Sequence, residues 1–141
     1  MRQLTLILLF CLPLVHAVEI AQGDNRYNLS TLSSELSQDY RTEMNLTTVI
    51  VVASDESIQS YIDQWAVLET VDAESHQLIY VSALAHGQPD KDGYYIDADG
   101  AQSLLSDGDF SVHLYSSSGR LILRSNNVLP AKAIIEYASQ Y

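Results

Sequence analysis

An α/β three-layer sandwich is the fold class this sequence predicts: a mixed four-stranded sheet with helices on both faces, preceded by an N-terminal helix. Three observations predict it. Val49-Ile50-Val51-Val52 and Leu78-Ile79-Tyr80-Val81 are unbroken apolar runs, as expected of strands covered on both faces. The stretch between them carries apolar residues at helical spacing, so a crossover joins the two strands and they run parallel. Phe110, Val112 and Leu114 alternate with Ser111, His113 and Tyr115, and the turn Ser116-Ser117-Ser118-Gly119 leads into Arg120 to Arg124. That is an antiparallel hairpin added to the same sheet.

In chain order, residues 1–17 read as an export signal. Arg2 opens it, an apolar run from Leu4 to Val15 broken by Pro13 follows, and Val15-His16-Ala17 is a small-residue cleavage site. The run is too short for a membrane-spanning helix, which needs about 20 residues. Cleavage leaves Val18 first and a mature chain without membrane insertion. Residues 18–28 are a short N-terminal segment, and residues 29–141 make one domain. From Asn28 to Met44, Leu29, Leu32, Leu36, Tyr40 and Met44 share a helical face. Thr48 to Ala53 is the central strand. Ser54 and Asp55 offer an N-cap directly after it, Glu56 suits the first turn, and Ile58, Tyr61, Ile62, Trp65 and Leu68 form the apolar stripe of the next helix. After the second strand, Ala85 to Asp99 reads as a loop, with Gly87, Pro89, Gly93 and aspartates around Tyr94-Tyr95-Ile96. Ala101 to Ser106 suits a short helix. Pro130 opens the last helix, whose buried face is Ala133, Ile134, Tyr137 and Tyr141.

Composition narrows the partners. The chain has 7 basic and 18 acidic residues, a formal −11, and loss of Arg2 with the signal makes it −12. Such a surface repels phosphate backbones, and no Lys/Arg cluster counters it, which sets aside nucleic acid and anionic membranes. The single cysteine, Cys11, lies in the signal, so the exported chain holds no thiol and folds by packing alone, for which 47% apolar content suffices. The mature protein is expected in a periplasm or secreted. Asn28-Leu29-Ser30 and Asn45-Leu46-Thr47 match the acceptor pattern for N-glycosylation.

The segment Phe110-Ser-Val-His-Leu-Tyr-Ser-Ser-Ser-Gly-Arg-Leu-Ile-Leu-Arg-Ser125, the helix from Pro130, and the Thr48 to Ala53 strand leading into Ser54-Asp55 resemble the thioredoxin-like "domain of unknown function 4174". The resemblance covers roughly residues 29 to 140 and rests on hydrophobic pattern. It implies an exported or extracellular thioredoxin-like domain, found alone in bacteria and within larger matrix-associated proteins of animals, with no established catalytic residues. The turn Ser117-Ser118-Gly119 departs from the Asp-Gly that the family often shows.

Thioredoxin chemistry places a thiol at the helix start after the first core strand, where the helix dipole and free N–H groups lower its pKa. Here that turn is Ser54-Asp55-Glu56-Ser57, followed by Ser60, and no proline stands immediately before Phe110. A serine alcohol forms no disulfide, so thiol-disulfide exchange is not expected. Hydrolysis would need a nucleophile, a base and an orienting group. His76, His86 and His113 survive cleavage, but no Gly-x-Ser-x-Gly or His-Glu-x-x-His pattern accompanies them.

The loop units Asp90-Lys91-Asp92-Gly93 and Asp97-Ala98-Asp99-Gly100 make Asp90, Asp92, Asp97 and Asp99 a candidate calcium set. The alternative is that these aspartates make turns and cap a helix. Tyr94 and Tyr95 in this loop are a candidate contact patch, whereas Tyr61, Tyr80 and Tyr137 lie on core stripes. No cofactor other than calcium is suggested. Two readings follow. One is a non-catalytic exported domain binding a protein or small-molecule partner through Tyr94, Tyr95 and the surface of Ser54, Asp55, Ser57 and His113. The other is an enzyme with a hydroxyl- or acid-based site around Ser54, Asp55 and His113. Expressed with its leader in a secreting host, the exported chain is expected to begin at Val18, which intact mass and amino-terminal sequencing check. An exported chain still carrying Met1 contradicts the cleavage reading.

Overall fold

The structure, a computed structural model, describes residues 18–41, 44–87, 89–105 and 108–140. The signal with Cys11, the side chain of Tyr40, Asp107 and Tyr141 lie outside the described residues. The strands are β1 (Glu19–Gln22), β2 (Asn25–Asn28), β3 (Thr47–Ala53), β4 (Leu78–Leu84), β5 (Tyr94–Ile96), β6 (Phe110–Tyr115) and β7 (Leu121–Ser125). The helices are α1 (Leu32–Tyr40), α2 (Gln59–Glu69), α3 (Ala98–Leu104) and α4 (Ala131–Gln140). One sheet holds the strands in the order β2-β1-β5-β4-β3-β6-β7.

β3 is its axis. It pairs in parallel with β4 from Thr47↔Leu78 to Ala53↔Leu84, and antiparallel with β6 from Thr48↔Tyr115 to Ala53↔Phe110. With both edges hydrogen-bonded, its side chains alternate into two cores. Ile50 and Val52 join Ile20, Leu32, Leu36, Val81, Ile96 and Ala101 under α1 and α3. Val49 and Val51 join Leu68, Val112, Leu114 and Ile134 under α2 and α4. The parallel β3–β4 pair, the β6–β7 hairpin and helices on both faces therefore follow the expected α/β class.

Three strands are additional to the expected four. The segment 18–28 is a hairpin, with Gln22 opposite Asn25 across Gly23-Asp24, and Gly23 takes the left-handed φ of 58° that such a tight turn requires. Tyr94–Ile96 is a strand, not a loop. It runs parallel to β4 in the register Val81↔Tyr94, and its other edge meets β1 at Ala21↔Tyr95. The mostly apolar triplet gains a strand's hydrogen bonds from residues distant in sequence.

Helix boundaries also shift. α1 starts at Leu32 rather than Asn28, because Asn28 pairs with Glu19 in the hairpin, and it ends where Arg41 turns left-handed at φ 55°. α2 starts at Gln59, with Ile58 extended before it and no side-chain cap. Asp55 instead accepts the Ser57 amide at 2.8 Å and the Ser57 hydroxyl. An aspartate that closes such a local turn competes with its own use as a helix cap.

The buried face of α2 is rotated from the apolar stripe. Ile62 is 46% exposed, whereas Gln64 is fully buried. The Gln64 amide donates to the Leu129 carbonyl at 3.0 Å and accepts the Leu129 N–H at 2.8 Å. This fastens α2 to the segment entering α4. Tyr137, assigned to the core by its spacing, is 36% exposed, and Ile134 is the fully buried anchor of α4. Gln64→Ala strands both Leu129 groups and is expected to lower stability by about 2 kcal/mol or more in urea unfolding. Gln59→Ala, which removes only an exposed bond to Asp63, should stay within about 0.5 kcal/mol. Equal effects of the two would contradict the fastening role.

Candidate functional site

The loop between β3 and α2 is where the sequence places its first candidates. Ser54 is held through its backbone, its N–H donating to Asp109 O at 3.0 Å and its carbonyl accepting His86 N–H at 2.7 Å. The Ser57 hydroxyl, then the Ser57 amide, then the nearby His86 charge hold the Asp55 carboxyl below the usual carboxylate range. Ser57 is exposed and bonded to Asp55. These contacts settle the loop's own shape.

His113 is elsewhere. The register places it opposite Ile50, whereas Ala53, the last residue before Ser54, faces Phe110. Three residues of strand, about 10 Å, separate the two places, so Ser54, Asp55 and His113 do not form one site. His113 is 3% exposed, and its Nε2 lies 2.9 Å from Ser111 Oγ, itself fully buried. Its Nδ1 is buried without a hydrogen-bond partner among the described residues, and its ring stacks on Tyr115 with centroids 6.2 Å apart. Burial, and secondarily Arg124 on β7, lower its pKa from 6.5 to about 4. A hydroxyl–imidazole pair without an orienting carboxylate and sealed from substrate lacks the geometry of a nucleophilic site. Alternation along β6 made this Ser111–His113 contact readable from sequence, although its burial was not.

The acidic candidates separate as well. Asp97 Oδ1 accepts the Gly100 N–H at 2.8 Å as the cap of α3, and Asp90 Oδ1 accepts the Asp92 N–H at 3.0 Å. A Cβ on Gly100 would meet Ile96 Cγ2 at 2.5 Å, so this glycine is required by close packing. Among the described residues no group of three or more His, Cys, Asp or Glu side chains is placed to hold a metal ion. Asp90, Asp92, Asp97 and Asp99 thus do not converge as the calcium expectation required. Tyr95 is buried beside β4 rather than exposed, and Tyr94 is half-buried, with its ring 6.3 Å from that of Tyr27.

A cleft of about 900 Å³ opens between α2 and β4, extending to β1 and β5. It exists because the second core takes no described residue from β1, β2 or β5, so α2 is the last cover on that face and its flank is open. Tyr61, Ile62, Trp65 and Glu69 line it from α2, Tyr80 and Ser82 from β4. Gln22, Asp90 and Tyr94 close the far side. Two of the candidates read from sequence, Asp90 and Tyr94, belong here; Ser54, Asp55, Ser57 and His113 do not.

The rings form a stepped wall. Tyr61 and Trp65 centroids are 6.2 Å apart at 71°, and Trp65 and Tyr80 are 6.1 Å apart at 79°, both edge-to-face. The i, i+4 spacing of Tyr61 and Trp65 sets the first pair on one flank of α2. The Tyr61 hydroxyl lies 2.8 Å from Ser82 Oγ, and the Tyr80 hydroxyl donates to Leu68 O at 3.3 Å. Burial, and then Asp72, push the Tyr80 phenol pKa up. Trp65 Nε1 is buried with no acceptor among the described residues. Spacing assigns these aromatics to a core; it does not distinguish a ring packed on all sides from one whose outer side faces a cleft.

No family model matches the chain, and no curated protein matches it. Solved structures do. A mitochondrial 2-Cys peroxiredoxin from Plasmodium falciparum is similar with a TM-score of 0.53 at 8% identity, over 88% of this chain and 88% of that one. Copper-bound ScoI from Arabidopsis thaliana gives 0.55 at 10% identity, over 89% of this chain and 98% of that one. A conserved protein of unknown function from Bacteroides fragilis gives 0.51 at 11% identity, over 85% and 92%. The fold is thioredoxin-like, and at these identities the likeness concerns fold alone.

The lowered His113 pKa gives a testable pH dependence. Between about pH 6.5 and pH 4 the unfolded chain binds a proton at this residue that the folded chain does not, so stability falls as pH falls through that window. The contribution is about 3 kcal/mol from pH 7 to pH 4. His113→Phe is expected to lose that part of the acid slope in urea unfolding at each pH, and an unchanged slope would contradict the buried neutral histidine.

Proposed function

We propose that this protein is an exported, non-redox binding domain that takes a ligand in the cleft between α2 and β4. The observation that carries this reading is one concave site of about 900 Å³ walled by Tyr61, Trp65 and Tyr80, with the Tyr61–Ser82 hydroxyl pair at its polar side. Ligand sites have this composition, apolar and aromatic walls with a few placed polar groups, and this range of volume. Tyr94 on β5 and Asp90 before it line the same cleft, so one residue of the contact patch and one of the calcium candidates read from sequence adjoin it.

The redox alternative lacks its reacting group. The peroxiredoxin neighbour is named for two cysteines, whereas this chain has only Cys11, inside the predicted signal. At the β3–α2 loop stand Ser54, Asp55, Glu56 and Ser57, and the reacting species of disulfide exchange is a thiolate. No family model confirms the resemblance to the "domain of unknown function 4174", so export rests on the predicted signal over residues 1–17.

Trp65 is the only tryptophan, so its fluorescence reports this cleft directly. Titration with Nile red, a neutral apolar dye, is expected to give a saturable change in Trp65 emission with one site. Ala66→Phe places bulk at an exposed position of the cleft wall and should weaken binding tenfold or more, while Ser54→Ala leaves it unchanged. The opposite pattern, or no saturable binding, contradicts the reading.

A further inference from the structure

The walls of the cleft carry charge of one sign. Among its described lining residues are two carboxylates, Glu69 and Asp90, and neither lysine nor arginine. Both carboxylates are on exposed residues at the solvent side, and Lys91, next to Asp90, is exposed but does not line the cleft. Tyr61, Trp65 and Tyr80 line the same cleft and meet edge to face at 71° and 79°. Ring faces are the negative ends of aromatic quadrupoles, and a cation within about 6 Å of a centroid is attracted to them. A compact inorganic ion would sacrifice hydration there without gaining an oxygen shell, whereas a soft alkylammonium sheds little water and covers apolar surface as well.

We infer that the cleft selects a small organic ammonium ion with an apolar body, the cation held between the aromatic wall and Glu69 and Asp90. This rests on the reading of the cleft as the binding site. A free small molecule is favoured over a chain segment because the about 900 Å³ volume is that of a small-ligand pocket. The chain's overall acidity, 18 acidic against 7 basic residues, attracts the same charge at longer range.

Calorimetric titration at low salt tests it with three probes that share one body: (3-phenylpropyl)trimethylammonium, 3-phenylpropanol and 3-phenylpropanesulfonate. The ammonium is expected to bind at least tenfold more tightly than the alcohol, and the sulfonate not measurably. The double variant Glu69→Gln, Asp90→Asn changes exposed side chains only and should cut the ammonium preference at least threefold and flatten its salt dependence. Trp65→Leu should abolish the preference, with folding checked by circular dichroism. Equal binding of ammonium and alcohol, or tighter binding of the sulfonate, overturns the inference while leaving the cleft as the site. A trimethyllysine peptide binding tenfold better than the free ammonium overturns the choice of a small molecule. Failure of all three probes and of Nile red removes the site reading itself.

Discussion

β3 is hydrogen-bonded along both edges and covered on both faces, with Val49, Ile50, Val51, Val52 and Ala53 all at zero exposure. Fully burying one valine or isoleucine side chain is worth about 1.5 to 3 kcal/mol, so four in a row make this strand the main anchor of the sheet. Its alternation also decides the layering. Ile50 and Val52 call for α1 and α3 on one face, and Val49 and Val51 for α2 and α4 on the other. The connections then have little freedom: the Gln64–Leu129 pair of hydrogen bonds holds α4's leading segment to α2, and Ser33 Oγ ties α1 to the entry of β3 through Met44 O at 2.8 Å and Leu46 N at 3.1 Å.

The placement of the site follows from how far this cover extends. Two helices suffice for the second face of β4, β3, β6 and β7, while β5, β1 and β2 widen the sheet beyond them. The edge of α2 therefore overlooks uncovered sheet, and the residues one turn apart on that edge, Tyr61 and Trp65, become walls of a cleft. The β3–α2 loop has the opposite character. Asp55 and Ser57 satisfy one another, and Ser54 is engaged through its backbone. The proposed binding site thus lies not at the end of the central strand but on the flank of the helix that follows it.

Much of the frame was legible in the chain. The β-branched run of β3, the apolar run of β4 and the alternation of β6 each carry enough residues to state a period, and the crossover rule supplies the parallel pairing. β5 was not legible, because three residues among Asp, Gly and Pro are too few for a period and its pairing partners lie far along the chain. The β1–β2 hairpin did leave a trace in Gly23-Asp24, a two-residue turn signal, but its strands have only four residues each. Gln64 is polar by composition and buried only because Leu129 needs it. Of the site, Asp90 and Tyr94 were singled out from sequence. Trp65 and Tyr80 were not, since an apolar stripe looks the same whether or not a neighbouring element covers its outer flank.

Ligand recognition is proposed on the flank of α2 and not in the loop before it. A 1H–15N correlation spectrum titrated with (3-phenylpropyl)trimethylammonium tests it most directly, because Trp65 is the only tryptophan and gives one indole signal. The Trp65 indole and the amides of Tyr61, Tyr80 and Ser82 are expected to move together and saturate, while those of Ser54, Asp55 and Ser57 stay in place. Saturable shifts confined to Ser54, Asp55 and Ser57, with the indole unmoved, would contradict it.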